Sequence, residues 1–103
     1  MPTGILGTAD VAATTLTTLY TVPATKIGVV NINLCNRGTA PVKVRLAVSA
    51  TATPALSEYI EYDATVAANS VLERTGFALD TGKNVVVYTD VATVSAVVTG
   101  FEE

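Results

Sequence analysis

An all-β fold, an antiparallel β-sandwich or jelly-roll-like domain of seven to eight short strands with an N-terminal arm, is what this sequence predicts, and three observations predict it. Threonine and valine are among its commonest residues, and β-branched side chains suit a pleated, half-buried surface better than a helix. Apolar residues recur with period two, and no window carries the i, i+3, i+4, i+7 stripe of an amphipathic helix. Clusters of turn-formers break the chain at about the 8–12-residue spacing of small sandwiches. Glutamine, a common filler of helix surfaces, is absent.

Taken in order, residues 1–16 form an extended arm or a poorly patterned first strand, with Gly4 and Gly7 around Ile5 and Leu6, and residues 17–103 form a single sandwich domain. Leu19–Val22, ahead of Pro23, reads as a strand at a sheet edge, where proline is tolerated. In the segment 30–34, Val30, Ile32 and Leu34 point one way and Asn31 and Asn33 the other. The segment 42–48 sends Val42, Val44, Leu46 and Val48 inward and Lys43 and Arg45 outward. Between these two lies a polar connection with Gly38 and Pro41, so the pair is expected to form an antiparallel hairpin. Residues 49–56 are a loop of small side chains. Further strands are expected at 57–63, 70–75, 84–90 and 94–101, with turns at 67–70 and 80–84. Glu73-Arg74-Thr75-Gly76 reads as a strand end running into a turn.

With 103 residues the chain can bury one core without covalent staples. Its composition then excludes much chemistry. There is no histidine, so Ser-His-Asp and Cys-His nucleophile systems, the usual zinc sites and the commonest general base are all missing. Cys35 is the single cysteine, which rules out a disulfide within the chain and reads as a small hydrophobe. A net charge of −3 with scattered basic residues gives no footprint for nucleic acid. The longest apolar run, Val85–Tyr88, is far too short to cross a bilayer, and the first residues do not read as a secretory signal. No catalytic residue, cofactor or metal is expected. Half of the residues are hydrophobic and only 15% are charged, which points to a surface partly covered by other subunits.

Three groups of residues merit weighing. Glu61 and Asp63 share a face by alternation, with Glu58 opposite, and such a pair could serve a two-carboxylate hydrolase. Without tryptophan to build sugar subsites, the better reading is surface carboxylates paired with Lys43 or Arg45. A calcium site from these groups, or from Asp80 and Asp90, lacks any known loop spacing. Tyr20, Tyr59, Tyr62 and Tyr88 could form a sugar-binding or adhesive patch, against the commoner reading of tyrosines at a core edge with wet hydroxyls. No glycine opens a helix, so no phosphate-binding loop is present.

Several phrases resemble small virion structural proteins of tailed bacteriophages, including phages of cyanobacteria. They are Leu19-Tyr20-Thr21-Val22-Pro23, the run Val30 to Arg37, Tyr59-Ile60-Glu61-Tyr62-Asp63, the run Val71 to Gly76, and Gly100-Phe101-Glu102-Glu103. They span most of the chain and are packing and turn phrases without catalytic content. The resemblance implies a non-enzymatic protein made in the host cytoplasm and carried in the virion. Its setting is that of a capsid decoration (cement) protein bound to the major capsid protein, or of a tail, collar or fibre component. A homo-oligomer, trimer or dimer, is expected, with Ile5, Leu6, Val11 and Leu16 as candidate assembly contacts. The alternative from another class is a host-glycan binding module that uses the loops at 49–56 and 80–84.

Overall fold

Every strand expected from the alternation forms. The computed structural model describes residues 3–103, in which eight strands follow one another: β1 (Thr3–Val11), β2 (Thr17–Thr21), β3 (Gly28–Asn36), β4 (Val42–Ser49), β5 (Tyr59–Val66), β6 (Val71–Leu79), β7 (Asn84–Thr89) and β8 (Val94–Glu102). One turn of 3-10 helix, Leu56–Glu58, precedes β5. Two four-stranded antiparallel sheets result, with strand orders β1-β8-β3-β6 (the front sheet) and β2-β7-β4-β5 (the back sheet). Consecutive strands alternate between the sheets, apart from the β4–β5 pair. This is the double-layer winding of a jelly roll.

The predicted pairing of the 30–34 and 42–48 strands is corrected by this topology. β3 pairs with β6 and β8 in the front sheet, while β4 pairs with β5 and β7 in the back sheet. The inward residues Val30, Ile32 and Leu34 therefore face Val42, Val44 and Leu46 across the core instead of lying beside them. Alternation fixes which face of a strand is buried, but it does not tell an in-plane neighbour from one in the opposite layer, about 10 Å away. The connection after Asn36 is long enough to change layers. It is held by the Asn36 side chain, fully buried, which donates to the carbonyls of Ala40 (2.8 Å) and Val66 (3.2 Å) and accepts from the Gly38 amide (2.9 Å) and the Thr93 hydroxyl (2.9 Å).

The core lies between the sheets, and its largest fully buried side chains are Ile32, Leu34 and Leu46, ringed by valines from six strands. Each such side chain contributes about 1.5–3 kcal/mol by leaving water. The N-terminal segment joins this core as β1, a front-sheet edge strand paired with β8.

The central strands pair in unbroken register, β3 with β8 and β4 with β7. The four edge strands all carry irregularities against their partners. An extra residue at Leu19 in β2 turns both Leu19 and Tyr20 inward. The expected strand end at Glu73–Gly76 is another such bulge: β6 runs on to Leu79, and Gly76 sits at φ 78°, where a side chain would be strained. Bulged edges resist pairing with a second sheet edge.

Candidate functional site

On the outer face of the back sheet, strand pairing brings together residues far apart in the chain. Arg45 of β4 lies directly opposite Tyr88 of β7. On the other side of β4, β5 bulges so that Tyr62 and Asp63 together oppose Arg45, with Asp63 in the left-handed region at φ 54°. The guanidinium sits over the rings of Tyr62, 4.3 Å from its centroid, and Tyr88, 4.6 Å. Its Nε donates to Asp63 at 2.7 Å. Tyr59 meets Tyr62 edge to face at 5.0 Å. The arginine partner holds the Asp63 carboxyl below the usual carboxylate range. Ala47 and Val86, paired next along the same face, are buried.

Three of the four candidate tyrosines are thus brought together. Tyr20 is not among them: it is buried, and its hydroxyl donates to the buried Glu102 carboxylate at 2.5 Å, joining the two sheets. Burial and that carboxylate both push the Tyr20 hydroxyl well above the usual tyrosine range. The carboxylate set is dispersed as well. The β5 bulge breaks the alternation that would have put Glu61 and Asp63 on one face. Asp63 points outward to Arg45, as the ion-pair reading expected. Glu61 sits opposite Leu46 and reaches the front-sheet edge, meeting Arg74 at 3.0 Å. Glu58 turns back on the 49–56 loop and accepts from the Ser49 hydroxyl and from the Ala50 and Ala55 amides. These contacts hold its carboxyl below the ordinary glutamate range. Asp80 pairs with Lys83, and Asp90 accepts from the Lys43 amide. Among the described residues no group of three or more potential metal ligands forms.

The outer face of the front sheet has the opposite character. Register and alternation turn outward Ile5, Thr8 and Asp10 of β1, Ser95, Val97, Thr99 and Phe101 of β8, Val29, Asn31, Asn33 and Cys35 of β3, and Val71, Glu73 and Ala78 of β6. Among these residues only Asp10 and Glu73 are charged, and Asp10 is paired with Arg37 at 2.6 Å. Cys35 is exposed here, not buried as its reading as a hydrophobe suggested. Ile5 is 70% and Val71 56% exposed.

Of the four candidate assembly contacts, Ile5 and Leu16 are on the surface. Leu6 packs against the chain's own core. Val11 is 1% exposed and belongs to that core outright, because it pairs with Val94 on the inward side of β1. It is therefore not open to a neighbour.

A cleft of about 190 Å³ lies between the 38–42 connection and the loop carrying Val91 and Thr93. It is smaller than ordinary ligand pockets and holds no titratable side chain among its lining residues. Sequence reasoning missed four buried polar groups, Asn36, Ser49, Thr89 and Glu102. For Glu102 a signal existed, since extending the inward series Val94, Ala96, Val98, Gly100 by one step lands on it.

Fold and surface together define a jelly-roll β-sandwich with one self-satisfied arginine–tyrosine cluster and one nearly uncharged face. No family model, curated protein or solved structure matches the chain. Among the described residues no helix is long and apolar enough to cross a membrane.

Proposed function

We propose that this chain is a non-enzymatic structural protein of a phage particle, a capsid decoration (cement) protein that binds and stabilises the lattice of the major capsid protein. The single observation that carries the reading is the nearly uncharged outer face of the front sheet, with Ile5, Val71 and Phe101 open to solvent. A face of this kind gains by being covered, and a chain repeated many times on a shell covers it at every copy. The resemblance of several phrases to small virion proteins points to the same setting. Jelly rolls serve both capsid and lectin proteins, so the fold is compatible with the reading and does not choose it.

The test is the copy number of the chain relative to the major capsid protein in purified particles. A ratio near one, or a simple fraction of it, supports attachment to the capsid lattice. A ratio of a few per cent moves the chain to the tail, collar or fibres and ends the decoration reading.

A host-glycan binding module is the second reading, and the Tyr59–Tyr62–Tyr88 cluster favours it. Against it, Arg45 already lies over the rings of Tyr62 and Tyr88, and Tyr59 and Tyr62 meet at 83° instead of forming a flat platform. Binding on a glycan array that is lost on Tyr62→Ala would favour this reading over the first.

A further inference from the structure

We infer that the outer face of the front sheet is a self-recognition surface, on which a second copy of this chain packs face to face about a two-fold axis. Three features of the molecule lead there. The sheet edges are poor partners, because each of the four edge strands carries an irregularity. Association must therefore use a face. The outer face of the back sheet is occupied by its own arginine–tyrosine cluster and carries Lys43, Arg45 and Asp63. Covering it with an identical face would oppose like charges and remove an ion pair from water.

The front face avoids both costs. Each chain has a net charge of −3, so two copies approach with least repulsion where charge is sparsest. On this face Asp10 is already paired with Arg37. The second carboxylate, Glu73, lies 2.9 Å from the side chain of Asn33 when that amide is oriented to donate. Neither needs a charged partner from outside. The middle of the face, around Val97 and Thr99, is neutral and half-buried by its neighbours.

The area is sufficient. Each of the four front-sheet strands is nine residues long. At about 3.3 Å per residue and about 4.8 Å between strands they make a face of about 30 × 19 Å. Two such faces in contact cover on the order of 1,100 Å², which reaches the lower bound for a specific interface. A two-fold arrangement is closed, so it gives a dimer and not a filament. The pairing draws on the same face as the virion reading, and separate measurements distinguish them: copy number in particles reads attachment to the shell, and the mass of the purified chain reads the pairing.

The mass of the purified full chain, measured by sedimentation equilibrium from low micromolar to millimolar concentration, tests this. The expected result is a monomer–dimer equilibrium with no larger species. Val97→Lys places two lysines close together at the two-fold axis and should raise the dimer dissociation constant on the order of 100-fold. Thr99→Lys should act in the same direction, which guards against a folding defect in one variant. Thr65→Lys, on the back sheet, should leave the dimer unchanged. A wild-type chain that stays monomeric at millimolar concentration overturns the inference. So does a trimer, or a folded Val97→Lys or Thr99→Lys variant that dimerises as well as wild type.

Discussion

The outer faces of the two sheets are written in the same alternating code but spend their outward positions differently. The back sheet places Lys43, Arg45 and Asp63 outward and lays tyrosines beside the guanidinium, so its polar groups are satisfied by one another and by water. The front sheet places threonine, asparagine, serine and valine outward, with Asp10 and Glu73 as the charged side chains on its strands and Arg37 reaching in from beyond β3 to pair with Asp10. The difference shows that low charge in this chain is not spread evenly. It is concentrated on one side of a layer whose other side is the common core, and only a face of that kind can be covered at little desolvation cost.

The largest expected effect breaks both faces at once. Leu46→Ala, in the shared core, should lower the unfolding free energy by about 2–5 kcal/mol. In urea melts, tyrosine fluorescence and far-ultraviolet circular dichroism should report a single transition, because the two faces rest on one core. Asn36→Ala comes next. It removes one side chain that ties the β3–β4 connection to the ends of β5 and β8, and about 2–3 kcal/mol should be lost as buried carbonyls lose their donor.

Arg45→Ala sharpens the contrast. It opens the tyrosine cluster and should lower the thermal midpoint only slightly, because a solvent-screened ion pair contributes little, while self-association stays unchanged. If dimerisation weakened instead, the back face would be the assembling one.

Two pH effects complete the series. Tyr20 has a hydroxyl pKa raised in the folded state above its ordinary value of 10.0. Its contribution is therefore fully present below about pH 10 and is lost as pH rises beyond it. Tyr20→Phe should flatten that alkaline decline in thermal melts. Asp63, Glu58 and Asp80 have carboxyl pKa values lowered by their partners. Their contributions are present above the ordinary carboxylate range and fade as pH falls through the folded values. Since all three are at the surface, the acid slope should be shallow and should diminish in high salt.

Much of this architecture was legible. The β-branched composition, the alternation and the turn clusters gave the all-β class, and all seven strands placed by pattern were found within a few residues. What the pattern could not carry was partnership. Val30-Asn31-Ile32-Asn33-Leu34 and Val42-Lys43-Val44 each reveal a buried face, yet the same signal arises whether two strands lie side by side or across a core, and the hairpin reading failed there. Bulges were equally silent. The one at Tyr62–Asp63 separated Glu61 from Asp63, and the one at Gly76 let β6 continue where a turn was expected. The arginine–tyrosine cluster depends on β4 lying between β5 and β7, so no spacing in the chain announces it. The sparsely charged front face was foreshadowed only as low overall charge, with nothing in the sequence to say on which side it would gather.

The central claim, that the front face is the one that gets covered, is tested most directly by labelling Cys35 and Tyr62 in the same sample as chain concentration rises. Cys35 reports the front face and Tyr62 the back. Cys35 alkylation should fall with the fraction of free monomer, about tenfold when nine chains in ten are paired, while nitration of Tyr62 holds constant. Loss of Tyr62 reactivity with Cys35 unchanged, or no change in either at millimolar chain, would contradict the claim.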